Sequence, residues 1–73
     1  ANGPEESVLA AESASELHAA LATLSPDLRE AIELVYFAGL TYEAAATETG
    51  RAAATIETRV RSALAHLHAQ LAR

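Results

Sequence analysis

Residues 39–64 read GLTYEAAATETGRAAATIETRVRSAL, and this stretch predicts two helices joined by a short turn. Gly39 suits the left-handed conformation that ends a preceding helix. Thr41 is a good N-cap for a new helix, and Gly50 ends that helix after about two turns. Thr55 is placed to cap a second, longer helix. A helix, a short turn with glycine and a second helix have the spacing of a helix-turn-helix, whose second helix can lie in the DNA major groove.

Two further helices are predicted before this unit. Ser13 followed by Glu16 has the spacing of a capping box at the start of the first helix. Ser25-Pro26-Asp27 predicts the start of the second, because Ser caps, Pro fits the first helical position and Asp favours the positive helix end. The apolar residues recur at helical spacing in both helices: Leu17, Ala20, Leu21 and Leu24, then Leu28, Ala31, Ile32, Val35 and Tyr36.

The last two helices differ in their apolar content. The helix predicted at residues 42–49 offers only Ala45 and Ala46 as clear inward positions, so it is expected either to pack very close to its neighbours or to be weakly held. The final helix carries a continuous apolar side: Ile56, Val60, Ala63, Leu64, Leu67 and Leu71. No strand pattern is present. The predicted fold is all-α, a compact four-helix domain with a C-terminal helix-turn-helix and no wing.

Length and composition limit the protein classes. The 73 residues make one small domain, with residues 1–12 predicted as a flexible tail or linker and residues 13–73 as the helix-turn-helix domain. The absence of cysteine excludes disulfides and thiolate metal sites. No apolar run is long enough to span a membrane and no signal peptide is visible, so we expect a cytoplasmic location. The chain contains no Met, which suggests that it is a piece of a longer protein.

The net charge of −5 argues at first sight against a nucleic-acid partner. The charge is unevenly distributed, however, because the basic residues collect in the last part of the chain. Residues 51–73 contain Glu57 as their single acidic residue and carry most of the arginines: Arg51, Arg59, Arg61 and Arg73. Positive charge therefore lies in and beside the second helix of the predicted turn unit, where a DNA-binding protein would need it.

Three segments at matching intervals resemble one protein family. Residues 24–29 read LSPDLR, residues 39–43 read GLTYE and residues 55–60 read TIETRV. Together they resemble region 4 of bacterial extracytoplasmic-function (ECF) sigma factors. That family usually shows a Leu-Pro…Arg start, a Gly-Leu-Ser-Tyr-Glu-Glu-Ile-Ala stretch and a Thr-Val-Lys-Ser-Arg-Leu recognition helix. The resemblance covers residues 17–71 without a gap.

The resemblance implies a role in transcription initiation. A domain of this kind binds the −35 element of double-stranded promoter DNA and docks on core RNA polymerase, and an anti-sigma factor is a further candidate partner. The second helix of the turn unit would enter the major groove. The resemblance implies that Thr58, Arg61 and Ser62 contact base edges, with Glu57 beside them. It also implies that Thr41, Tyr42 and Thr55 lie near phosphates.

Several of these side chains have simpler explanations that the sequence leaves open. Arg51 can reach a phosphate or be an exposed turn residue, and Tyr42 can contact phosphate or pack over the turn. Arg59 can contact DNA or form a structural ion pair. Arg61 can contact DNA, remain solvated or pair with Glu57. His66 and His68 are two residues apart, which does not fit metal ligands on one helix face, so no metal site is predicted.

The chain also departs from the usual family pattern. Ala45, Thr49 and Arg51 stand where large or apolar residues are common, which thins the core. Glu57 replaces a usual Lys or Arg, and Ser62 replaces a usual Arg. The last two departures lower the positive charge of the expected DNA-binding face, and we therefore expect the isolated chain to bind DNA weakly.

Two other functions remain as alternatives. The acidic first half and a loosely packed third helix would suit a domain that is mainly a protein-interaction module, held by an anti-sigma factor or by the polymerase. The opening at residues 24–29 also resembles the DNA-binding domains of response regulators, although residues 55–60 and the long last helix favour sigma. No defensible pair of catalytic carboxylates, nucleophile set or phosphate loop is present. We predict that the chain is not an enzyme, needs no cofactor and has no small-molecule substrate.

Overall fold

A computed structural model describes residues 14–71, with side chains from residue 15 onward. It contains four helices: α1 (Ala14–Ala22), α2 (Pro26–Ile32), α3 (Tyr42–Thr49) and α4 (Ala53–Leu71). A π-helical turn, Glu33–Phe37, continues α2. No strand occurs within this part of the chain, so the predicted all-α four-helix fold is confirmed. The predicted tail at residues 1–12 and the predicted cap Ser13 lie outside the described residues.

Helix α2 begins as its sequence predicts and ends less regularly. The Ser25 hydroxyl accepts a hydrogen bond from the N–H of Leu28 at 3.4 Å, and Pro26 occupies the first turn. At the other end, the N–H of Ala38 donates to the carbonyl of Glu33 at 2.8 Å, which closes a π turn. Gly39 then takes a φ of +77°, as its predicted role in ending the helix requires.

Helix α3 has the predicted bounds. The Thr41 hydroxyl accepts from the N–H of Ala44 at 3.0 Å, so Thr41 is the N-cap. Gly50 has a φ of +70°, and the N–H of Arg51 donates to the carbonyl of Ala46 at 3.2 Å. This hydrogen bond is the closing bond of a Schellman motif, which only a residue tolerant of positive φ can complete without strain.

One core joins the four helices, and α4 lies at its centre. Helix α4 packs against α1, α2 and α3. No polar or charged side chain of the described residues is buried. The buried positions are Ala20, Leu24, Ala31, Ile32, Ala45, Ile56, Val60, Ala63, Leu64 and Leu67. Leu17, Leu21, Leu28, Val35, Tyr36, Ala46 and Leu71 are partly buried against this cluster, so each predicted apolar face points inward.

The third helix packs close to its neighbours. Ala45 is completely buried, with 0% of its surface exposed, although it has only a methyl side chain. Because a small residue is fully covered only when surrounding atoms approach it closely, α3 must lie near the rest of the core. Of the two arrangements that the sequence left open, the structure has the closely packed one. None of the helices within residues 14–71 is long and apolar enough to cross a membrane.

We expect Ala45→Ile to destabilise the domain by about 1–3 kcal/mol, because the added methylenes have no space beside α3. Urea denaturation followed by circular dichroism measures the change. Ala65→Ile is the matched control, since Ala65 is exposed on α4. It should cost less than about 0.7 kcal/mol, which is the range of helix propensity alone. An Ala45→Ile variant as stable as the control would indicate unfilled space at this contact.

Candidate nucleic-acid interface

Helices α3 and α4 form the helix-turn-helix that the sequence predicts. Helix α3 ends at Thr49 and α4 begins at Ala53, so residues 50–52 form the turn between them. Thr41 precedes the start of α3, and Ala52 precedes the start of α4. Unpaired N–H groups and the partial positive charge of a helix dipole favour phosphate near such helix starts.

The predicted cap of α4 was wrong. The carbonyl of Ala52 accepts hydrogen bonds from the N–H groups of Thr55 at 3.0 Å and Ile56 at 3.1 Å, so the helix begins two residues earlier than Thr55. Thr55 therefore lies within the first turn and is half-buried. The reason is the alanine run at residues 52–54: alanine has the highest helix propensity and no side chain that competes for backbone hydrogen bonds.

One side of α4 presents polar side chains to solvent. Thr58, Arg61 and Ser62 are all exposed, and their spacing places them on one helical face. The Thr58 hydroxyl donates to the carbonyl of Ala54 at 3.0 Å, which leaves its lone pairs free to accept. These are the three residues that the resemblance assigns to base edges, and nothing in the described part of the chain covers them.

Glu57 and Arg61 form an ion pair along this face. A guanidinium nitrogen of Arg61 lies 2.7 Å from Oε2 of Glu57, one helical turn away. The Arg61 side chain is 77% exposed and that of Glu57 is 40% exposed. Arg61 thus points outward as predicted, and it is also paired with Glu57, which was the alternative explanation for its position.

Arg59 points to a different part of the molecule. Its guanidinium lies 3.7 Å from Oδ2 of Asp27, in the first turn of α2, and its side chain is only 22% exposed. This contact supports the structural explanation of Arg59, because the ion pair links α4 to α2. Tyr42 is half-buried and packs against the core, which agrees with packing over the turn. Thr41 and Arg51 are exposed.

The structure also has a surface that the sequence did not predict. Phe37 is 50% exposed, and no other large hydrophobic side chain within residues 15–71 is exposed. It lies in an open, mainly apolar groove lined by Leu17, His18, Leu21, Glu33, Phe37 and Ala38. The π turn shifts the end of α2 out of α-helical register, and helical periodicity alone gives no sign of that shift. The available signal was an aromatic residue outside the apolar stripe, just before Gly39.

The turn unit presents groups that suit binding to a charged partner. Within residues 14–71, no group of three or more His, Cys, Asp or Glu residues is placed to hold a metal ion. The carboxylates Glu30, Glu43 and Glu48 lie exposed on helix surfaces. What the turn unit provides is an exposed polar face on α4, arginines at Arg51 and Arg61, and two helix starts.

Comparison with known proteins identifies the family. The model of the family described as sigma-70, region 4, matches residues 14–67, and the chain belongs to this family. Members of the family take part in promoter recognition with DNA and RNA polymerase. No curated protein and no solved structure matches the chain. The match confirms the sigma region 4 part of the resemblance and favours it over a response-regulator domain.

Arg59 is largely covered and Arg51 is exposed, so their substitution should affect the free energy of unfolding differently. Arg59→Ala should lower the free energy of unfolding by about 1 kcal/mol, because it removes a largely covered aliphatic stem and the contact with Asp27. Arg51→Ala should change it by less than about 0.5 kcal/mol, since Arg51 is exposed in the turn. Chemical denaturation of the two variants makes the comparison. Equal effects would mean that Arg59 is not a structural residue.

Proposed function

We propose that this sigma-70 region 4 domain belongs to a sigma factor of the ECF type, reads the −35 promoter element through α4 and docks on core RNA polymerase. The observation that carries the proposal is the exposed face of Thr58, Arg61 and Ser62, on a helix that follows a turn of residues 50–52. The ECF assignment rests on the segments at residues 24–29, 39–43 and 55–60. Such a domain works in the cytoplasm as a binding module without catalytic activity.

In this proposal, two groups of residues contact DNA differently. Thr58, Arg61 and Ser62, with Glu57 beside them, face the base edges in the major groove. Phosphate contacts come from the surrounding positions and hold the helix in register. Arg51 is exposed in the turn, and Thr41 is exposed at the start of α3. Tyr42 and Thr55 are half-buried and contribute at the edge of this contact, while Arg59 is engaged with Asp27.

RNA polymerase supplies most of the affinity in this mechanism. The exposed Phe37 and the apolar groove around it are the surface that we assign to polymerase docking. The groove is lined by residues of α1 and of the end of α2, and by none of α3 or α4. A partner can therefore occupy it while α4 lies in the major groove. Exposed aromatic side chains of this kind are frequent anchors in protein interfaces.

The same groove supports the alternative function, in which an anti-sigma factor is the main partner. An anti-sigma factor that covers Phe37 would compete with polymerase for the domain. The exposed polar face of α4 favours the promoter-binding function, because an interaction module alone does not require arginine in the second helix of a turn unit.

We expect the isolated chain to bind duplex DNA weakly, with a logarithmic salt slope of about −3, since about three phosphates at roughly 0.9 each are neutralised. Arg51→Ala should reduce the slope by about 1. Arg29→Ala is the control, because it removes the same charge from α2. Fluorescence anisotropy on a duplex of mixed sequence at several salt concentrations gives the slopes. A slope near −8, or nanomolar binding at physiological salt, would contradict the expected weak binding and the assignment of most of the affinity to RNA polymerase.

Phe37→Ser should weaken binding of the chain to core RNA polymerase by about tenfold or more, as removal of an aromatic anchor does in other interfaces. The salt dependence of DNA binding by the Phe37→Ser variant should stay unchanged. Ala69→Ser is the control, since Ala69 is exposed on α4 and receives the same side chain. Biolayer interferometry with immobilised polymerase measures both variants. Equal polymerase binding by the two variants would exclude the groove as the docking surface.

A further inference from the structure

The two arginines of α4 have different partners. The guanidinium of Arg59 lies 3.7 Å from Oδ2 of Asp27 in α2, and the Arg59 side chain is largely covered. Arg61 remains 77% exposed, and its guanidinium lies 2.7 Å from the Glu57 carboxylate on the same helix. Exposed Thr58 and Ser62 lie beside this pair. Arg61 is therefore the one arginine of α4 that combines high exposure with a defined orientation.

An ion pair of this kind adds little to fold stability, because both side chains remain in contact with water. Its physical effect is on the conformation of Arg61. A free arginine samples many rotamers, and a base contact would have to order them. A carboxylate one turn away accepts one of the guanidinium N–H groups and restricts those rotamers. Arginine has five N–H donors, so enough remain for a bidentate contact with the O6 and N7 atoms of guanine.

We propose that Glu57 is a specificity-determining positioning residue, whose carboxylate orients Arg61 to read one guanine of the DNA site. The inference rests on the proposed function, since it requires that α4 enters the major groove. Glu57 also repels phosphate, so it lowers affinity for every DNA sequence. The pair therefore makes DNA binding weaker overall and more selective at one base pair.

Two simpler roles for Glu57 predict different behaviour. A carboxylate that only repels phosphate changes the affinity for all duplexes by one common factor. A carboxylate that reads DNA itself accepts a hydrogen bond from the amino group of cytosine, independently of Arg61. A positioning residue acts through Arg61 alone, so its effect should appear at a guanine position and vanish when Arg61 is absent. These differences make the three roles separable.

The test starts from the sequences that the wild-type chain selects from a random duplex library at low salt. Dissociation constants are then measured for the selected duplex and for its single-base variants. The proteins are wild type, Glu57→Gln, Arg61→Ala and the double variant. Glu48→Gln is the matched control, because Glu48 is an exposed carboxylate of α3 and the substitution changes the charge equally. Circular dichroism verifies that each variant keeps its helical content.

Arg61→Ala should reduce discrimination at one guanine position by about tenfold, the effect expected for loss of a bidentate contact. Glu57→Gln should reduce discrimination at the same position by about threefold to fivefold, and should not lower affinity for unrelated duplexes. In the Arg61→Ala background, Glu57→Gln should have no further effect at that position. Glu48→Gln should leave discrimination at every position unchanged.

Two results would overturn the inference while leaving the proposed function intact. One is a Glu57→Gln variant that changes affinity for all duplexes equally and keeps full discrimination. The other is a loss of discrimination at a cytosine position on Glu57→Gln that is also seen in the Arg61→Ala background. If the folded wild-type chain selects no sequence at all, the proposed function itself fails, and the positioning role fails with it.

Discussion

The structure depends on burial of one side of α4. The residues of that side lie in the core, and α4 is the element that contacts each of the other three helices. A domain of this size has little core, so each fully buried aliphatic side chain, worth roughly 1.5–3 kcal/mol, is a large share of its stability. The same packing fixes the rotation of α4 about its axis. Because Ile56, Val60 and Leu67 face inward, Thr58 and Arg61 must face solvent.

Small residues determine how close the helices approach. Ala31, Ala45 and Ala63 are almost completely buried, each at a contact where a larger side chain would hold the backbones apart. Helix α3 contributes Ala45 as its only fully buried residue, and close approach takes the place of large aliphatic contacts there. This explains how the domain accommodates Ala45 at a position where the family resemblance led us to expect a larger residue. It also holds the start of α4 at a defined position relative to α3.

The ion pairs formed by Arg59 and by Arg61 have different consequences. The pair of Arg59 and Asp27 joins two helices, and it draws one arginine away from the exposed face of α4. The pair of Arg61 and Glu57 lies within α4 and leaves its arginine exposed. The pair of Arg61 and Glu57 contributes little stability, since exposed ion pairs contribute about 0–1 kcal/mol, whereas the Arg59 side chain is only 22% exposed. The two pairs determine which arginine of α4 remains exposed at the surface. In a chain of net charge −5, each exposed arginine matters for binding to phosphate.

The sequence by itself determined the features that depend on neighbouring residues. Ser25, Thr41 and Gly50 mark helix ends through hydrogen bonds and backbone angles that span a few positions. The apolar side of α4 and the family resemblance were likewise visible in the order of residues. The tertiary structure decided what depends on distant or competing contacts. The alanine run allowed several starts for α4, and the chain begins the helix before Thr55. The choice of Asp27 as partner for Arg59 follows from how α2 packs against α4, which no local pattern records.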